Sequence, residues 1–135
     1  NSRLAHAEEG VKKAVEFGAD FVLAVGGGSV IDSSKSTAVA AVSECDVWDF
    51  STRKAFPQNA LPVACILTLA AAGSEMSDSA VLTNEELGKK AGCGTPLNRP
   101  KFAIMNPELT YTLPKYQIAS GIADMFDCGV SQTCF

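Results

Sequence analysis

The segment Phe21–Lys35, FVLAVGGGSVIDSSK, most constrains what this chain can fold into. It begins with an apolar run typical of a buried strand, and three glycines follow before Ser29 opens a run of helix-forming residues. Glycines admit positive φ angles and let a ligand approach the backbone, while the first N–H groups of a helix lack intrahelical acceptors. A strand, a glycine turn and a helix start together predict an anion site, suited to the diphosphate of a nucleotide or dinucleotide.

Two better-known phosphate loops do not match this segment. A P-loop needs a Gly-Lys-Ser/Thr run, whereas Lys35 follows Ser34, and the fingerprint GxGxxG would need a glycine at Ile31. The pattern present is Gly-Gly-Gly-Ser-x-x-Asp-x-x-Lys, for which a glycine-rich turn without a ligand is the alternative. Asp32 and Lys35 share a helical face. Asp32 could accept hydrogen bonds from ligand hydroxyls, or it could simply stabilise the positive end of the helix dipole beside a neighbouring cation.

Composition narrows the class of protein. At 135 residues the chain has the size of one domain, and its net charge of −4 without a basic cluster argues against a nucleic-acid surface. No apolar run approaches the roughly 20 residues of a membrane helix. The five cysteines form no CxxC pair, which predicts reduced thiols in a cytoplasmic protein. His6 is the single histidine, so this sequence alone cannot assemble a multi-histidine metal centre.

Hydrophobic periodicity predicts alternating helices and strands, which favours an α/β fold with a largely parallel sheet. The predicted helices cover Ser2–Phe17, Ser29–Val42 and the stretch from Lys115 to the end. The predicted strands cover Phe21–Val25, Val63–Thr68, Ser79–Thr83 and Phe102–Met105, with residues 44–59 irregular and residues 84–98 a polar loop. Because the sequence starts inside a predicted helix and ends without a helix stop, we expect an internal fragment.

Two further constellations carry chemistry. The strand ends at Gly26–Ser29 and Thr68–Ser74 are expected to face one crevice, since ligands bind outside the carboxyl ends of strands in open α/β sheets. There the Ser74 hydroxyl could bind a phosphate or an amide of a ligand. The alternative is an ordinary serine-containing turn without a ligand. Asp124 and Cys128 lie four residues apart on the last helix, a spacing that would let both bind a divalent ion. The alternative is that Asp124 pairs with a backbone group or a cation and Cys128 is a small buried residue.

Three segments of the chain, in order, resemble the iron-containing (group III, metal-dependent) alcohol dehydrogenases, in particular their butanol-dehydrogenase-like branch. These segments are GGGSVIDSSK, TLAAAGSEMSDSAVLTNEE and RPKFAIMNPELTYTLPKYQIASGIADMFD. The resemblance implies a Rossmann-like dinucleotide-binding domain, here partial and covering residues 1–108. Residues 109–135 would begin a helical metal-binding domain that is truncated in this chain.

The resemblance also implies roles for single residues. Gly26, Gly27, Gly28 and Ser29 would hold the diphosphate of NAD or NADP, with Asp32 in the same motif. The turn from Thr68 to Glu75, including Ser74, would lie by the nicotinamide-side ribose and phosphate, and Lys90 near the position of a cofactor-contacting lysine. In the family a divalent metal, Fe²⁺ or Zn²⁺, is held by an aspartate, here Asp124, and by three histidines.

This sequence departs from the family pattern at the metal. Cys128 stands where the first histidine is expected, and the two later histidines would lie beyond Phe135. Ala70 and Ala72 replace a proline and a threonine that are usual in the family, so one cofactor hydroxyl contact is expected to be lost. The implied activity is hydride transfer between an alcohol or aldehyde and NAD(P), with the metal polarising the substrate oxygen.

Because mainly the cofactor half of that enzyme is present, the isolated chain is expected to be inactive as a dehydrogenase. The alternative is a non-catalytic nucleotide-binding or self-associating module derived from the family, since missing sheet neighbours would favour a homodimer or a higher oligomer. A truncated gene product without a selected role is the third hypothesis.

Overall fold

A three-stranded parallel sheet forms the centre of the fold. The computed structural model describes residues 2–132, and of residues 125 and 127–132 the backbone alone. The helices are α1 (Leu4–Phe17), α2 (Gly28–Ala40), α3 (Val47–Ser51) and α4 (Lys115–Gln132). The strands are β1 (Val22–Gly26), β2 (Val63–Leu67), β3 (Ser79–Asn84), β4 (Lys89–Gly94) and β5 (Ala103–Ile104), and two short 3₁₀ helices cover Pro96–Asn98 and Pro107–Thr110.

The sheet has the strand order β1-β2-β5, and both neighbouring pairs are parallel. Gly26 pairs with Leu67, so β1 and β2 end side by side. Helix α2 packs on one face of the sheet, where Ile31 contacts Ala24, Cys65 and Leu67 in a buried cluster. This arrangement confirms the predicted Rossmann-like α/β fold with flanking helices.

Helix α1 packs on α2 and ends where its sequence predicts. Gly18 has a φ of +66° and donates its amide to the last turn, a left-handed cap that glycine adopts without strain. At Gly10 a β-carbon would lie 2.7 Å from the Thr37 hydroxyl, so the two helices approach closely there. Both helices and β1, β2 and β5 therefore agree with the sequence predictions to within a few residues.

The prediction of a polar loop over residues 84–98 was wrong. Residues 89–94 form β4, which pairs antiparallel with β3 from Ser79–Gly94 to Asn84–Lys89. The hairpin is stabilised by packing, because Leu82 and Cys93 join Phe50 and Val39 in a second buried cluster beneath it. Glycines and lysines have low strand propensity, so this strand forms through its partner and not through its own sequence.

Residues 44–59 were also predicted to be wholly irregular, and the structure places α3 within them. Asp46 caps this short helix, since its side chain accepts a hydrogen bond from the Trp48 amide at 2.8 Å. The apolar side chains of Val47 and Phe50 are buried against the hairpin cluster. An N-capping aspartate before an apolar pair is the local signal that predicts such a helix.

The second face of the sheet is apolar and uncovered within residues 2–132. Leu23 and Val25 of β1 are 50% and 55% exposed, and Ile104 of β5 is 48% exposed. Phe21 and Phe102 stack at the edge of this face with ring centroids 6.3 Å apart. Among the described helices, none is long and apolar enough to cross a membrane.

Candidate functional site

A glycine bend, residues 26–28, joins β1 to α2 at the carboxyl end of the sheet. The first backbone hydrogen bonds of α2 converge on the carbonyl of Gly27, at 3.0 and 3.1 Å. Gly27 is the N-cap and supplies no side-chain acceptor, and the amides of Gly28 and Ser29 find none among the described residues. Two N–H groups at the positive end of a helix dipole are thus available to an anion.

The segment after β2 forms the second wall of this site. The Thr68 amide donates to the carbonyl of Gly26 at 3.1 Å, which joins the two strand ends. A β-carbon on Gly28 would lie 3.2 Å from the hydroxyl of Ser74, so the two walls approach within one side chain of each other. Gly73, with a φ of +70°, turns the chain back toward the bend. The two strand ends are therefore adjacent, as predicted, and a ligand crevice between them stays a prediction.

Asp32 lies one turn into α2 and faces the hairpin. Its Oδ2 accepts a hydrogen bond from the Val81 amide at 3.1 Å, whereas its buried Oδ1 has no partner in the described part of the chain. Burial raises the pKa of this carboxyl above its ordinary value, while the Val81 amide and the Ser74 hydroxyl oppose the shift. Asp32 therefore attaches β3 to α2, and its second carboxyl oxygen is buried near Ser74.

Lys35 is fully buried, which its sequence position did not predict. Its ammonium donates to the carbonyl oxygens of Ser74, Ser77 and Ser79, at 2.7, 2.9 and 2.9 Å. Burial lowers its pKa below the ordinary value, and the nearby charge of Asp32 acts in the opposite direction. Among the described ion pairs, Asp32 and Lys35 form none with each other, so each residue binds a different part of the segment after β2.

Lys90 projects from the exposed hairpin and is one of the charges that lower the pKa of Asp32. It pairs across the ladder with Thr83 in the register of β3 and β4. Lys90 alternates with the buried Cys93 along β4, so its side chain lies on the exposed face of the hairpin and acts on Asp32 through its charge alone. The structure brings Thr68 and Ser74 next to the glycine bend, and Asp32 next to Ser74 and Val81, whereas it shows no contact between Lys90 and these residues.

Asp124 of α4 lines an open cleft of about 660 Å³ between α4 and the segment after β2. Gly121 permits this contact, since a β-carbon there would lie 2.7 Å from the carbonyl oxygen of Ala70. No cluster of three His, Cys, Asp or Glu side chains exists among those described, and the side chain of Cys128 falls outside them. The described residues alone therefore do not fit a bound metal.

Residues 1–107 match the model of one protein family, described as iron-containing alcohol dehydrogenase. The chain belongs to this family. Among relatives of this iron-containing alcohol dehydrogenase chain, the probable NADH-dependent butanol dehydrogenase 1 of Bacillus subtilis is 47% identical over 93% of the chain. The NADPH-dependent aldehyde reductase YqhD of Escherichia coli is 40% identical over 90% of it. Both alignments cover only 32% of the relative, so the chain spans about a third of their length.

The crystal structure of the NADH-dependent butanol dehydrogenase A of Thermotoga maritima has the same fold. It superposes with a TM-score of 0.88 at 40% identity, covering 90% of this chain and 31% of that one. Together with the identities above, this likeness confirms the resemblance to the butanol-dehydrogenase-like branch of the iron-containing alcohol dehydrogenases.

Proposed function

We propose that this chain is the cofactor-binding part of an NAD(P)-dependent alcohol or aldehyde dehydrogenase, with the dinucleotide diphosphate on the glycine bend. The observation that carries this proposal is the pair of free amides at Gly28 and Ser29 opposite Ser74. Their N–H groups suit phosphate oxygens, and Asp32 in the same motif attaches the Val81 amide to α2 beside them. A β-carbon at residue 28 would narrow the mouth of this site.

Within this proposal the chain binds and orients the cofactor. Gly26 and Gly27 let the backbone approach the diphosphate, Thr68 and Ser74 line the opposite wall, and Lys90 supplies a cation. NAD(H) and NADP(H) are the cofactors named for the relatives, and either would supply hydride transfer when bound. Residues 1–108 would form a partial dinucleotide-binding domain, and residues 109–135 the start of a helical domain.

The described residues do not supply enough ligands for a catalytic metal. Asp124 is one carboxylate in an open cleft, and a catalytic metal site uses about three protein ligands. We therefore propose that the full activity requires ligands that the described residues do not supply. The free thiols of Cys45, Cys65 and Cys93 are compatible with the proposed cytoplasmic location.

The test is a titration of the 135-residue chain with NADH and with NADPH, followed by fluorescence, together with a turnover assay. The proposal predicts saturable binding of at least one cofactor in the micromolar range, and no oxidation of butanol or reduction of butyraldehyde with added Fe²⁺ or Zn²⁺. Absence of binding up to millimolar cofactor contradicts the cofactor site. Turnover with an added metal contradicts the proposed lack of metal ligands.

A second candidate function is self-association, because one sheet face is apolar and uncovered in the described part. Leu23, Val25 and Ile104 contribute to this face, and β1 is an edge strand with free backbone groups. A homodimer burying it would be lost in Val25→Lys but kept in Lys13→Met, a change on the exposed side of α1. Sedimentation analysis of both variants distinguishes the dimer from a monomeric chain.

A further inference from the structure

We propose that Lys35 is a positioning residue for the diphosphate site, because its ammonium fixes the segment Ser74–Ser79 against α2. This inference rests on the proposed function, since the segment it fixes is the second wall of that site. It differs from the motif-based expectation, in which the lysine is merely a cation beside Asp32 on a helix face.

The contacts of Lys35 account for every proton of its ammonium. An ammonium has three N–H donors, and three carbonyl oxygens lie within 2.9 Å, those of Ser74, Ser77 and Ser79. The Ser77 hydroxyl lies at 3.3 Å as an additional partner. Burying a cation is costly, and here charge-assisted hydrogen bonds replace its hydration while the charge of Asp32 favours the ammonium.

Two of these carbonyls lie in the turns before β3, and the third belongs to Ser79, the first residue of β3. The segment is also held from the hairpin side, where the Asp78 carbonyl accepts from the Thr95 amide at 3.1 Å. Between Gly73 and Ser79 the chain forms turns, and its local backbone hydrogen bonds run from the amides of Met76 and Ser77 to Gly73. Lys35 thus joins the irregular segment to a helix that is itself anchored in the core. Asp32 attaches the chain to α2 a second time just beyond this segment, where its carboxyl accepts a hydrogen bond from the Val81 amide.

The position of Ser74 is the functional consequence. Its carbonyl accepts the shortest of the three ammonium bonds, and its hydroxyl lies beside Gly28. If the ammonium is removed, the carbonyls of Ser74, Ser77 and Ser79 lose a charged donor and the segment moves away from the glycine bend. Lys35 would then affect cofactor affinity without touching the cofactor.

The experiment compares Lys35→Met with Lys13→Met, which changes an exposed lysine of α1 that pairs with Glu9. Hydrogen–deuterium exchange is followed by mass spectrometry without cofactor, and NADH affinity is measured by fluorescence. In Lys35→Met we expect amides of residues 68–81 to exchange about tenfold faster while β1 and β2 keep their protection. We expect NADH to bind about tenfold more weakly than to the control.

The outcomes separate the two proposals. If Lys35→Met matches the control within about twofold in both measurements, or if exchange rises equally throughout the sheet, the positioning role is overturned. If residues 68–81 loosen selectively but the unmodified chain binds no NADH, Lys35 still positions the segment and the cofactor site is wrong. If Lys35→Met does not fold, NMR couplings between the Lys35 ammonium and the three carbonyls in the unmodified chain decide: their presence supports the role and their absence overturns it.

Discussion

Gly28 and Ser74 face each other across the crevice, so closely that a β-carbon on Gly28 would lie 3.2 Å from the Ser74 hydroxyl. The helix start that carries the free amides and the turn that follows β2 are therefore the two sides of one narrow opening. The width of this opening depends on a residue without a side chain.

Gly28→Ala is expected to weaken NADH binding about tenfold, because the new methyl group occupies the space in front of the helix amides. The Ser74 hydroxyl can rotate away, so the melting temperature should change by only a few degrees, about 1 kcal/mol or less. Gly94→Ala is the matched control, since a β-carbon there meets nothing within 4 Å. Equal NADH affinity in the two variants would show that the ligand does not approach Gly28.

Gly121→Ala tests the contact between α4 and the segment after β2. Alanine gains about 1 kcal/mol in helix propensity, but its methyl group would lie 2.7 Å from the Ala70 carbonyl oxygen, a backbone atom that cannot rotate away. Overpacking typically costs about 1–3 kcal/mol, so we expect a net loss near 1 kcal/mol and faster amide exchange in α4. Ser120→Ala, on the adjacent exposed position, should instead be neutral or stabilising.

Asp32→Asn is expected to change the pH dependence of stability. Burial holds the pKa of Asp32 above its ordinary value of 3.8, so the folded state keeps this proton to higher pH than the unfolded state. Ionisation of Asp32 therefore lowers the free energy of unfolding as pH rises from 3.8 through the folded pKa. Asparagine removes this loss and can still accept from the Val81 amide.

The measurement is urea unfolding of both proteins at a series of pH values from acidic to neutral. The stability of Asp32→Asn relative to the unmodified chain should increase with pH and then level off above the folded pKa. A difference that decreases with pH would mean that the carboxylate is stabilised in the fold, contrary to its desolvated surroundings.

Lys90→Gln is expected to weaken cofactor binding several-fold and to leave the melting temperature unchanged, because the side chain is exposed and its charge acts toward the Asp32 side of the hairpin. Lys89→Gln is the control, since adjacent strand residues point to opposite faces. The loss in Lys90→Gln should shrink at high salt, which screens exposed charges. Equal effects of the two changes would assign the lysines a general electrostatic role.

The elements that depend on neighbouring residues in the chain could be predicted from the sequence. The apolar run of β1, the glycine bend and the start of α2 are consecutive in the chain, so this strand–turn–helix unit could be predicted before any contact was known. The left-handed cap at Gly18 was predictable for the same reason. The nearness of Thr68 to Gly26 followed from the rule that parallel strands end at one edge.

The features that the sequence did not predict depend on contacts between residues far apart in the chain. Strand β4 contains Lys89, Lys90 and glycines, and it forms only because β3 supplies its partner and Cys93 is buried beneath it. Lys35 is surrounded by residues about 40 positions later in the chain, so its partners could not be predicted from the helix that carries it. Its burial had one indirect signal, the small serine and alanine side chains of α2 that allow close packing.

The most direct test of the cofactor site is an NMR titration of the ¹⁵N-labelled chain with NADH. The proposed site predicts the largest amide shifts at residues 26–29 and 68–74, and small shifts at residues 85–88 in the hairpin turn. Saturable binding whose shifts lie instead on the apolar sheet face around Leu23 and Ile104, or no shifts at millimolar NADH, would contradict the assignment of the glycine bend as a diphosphate site.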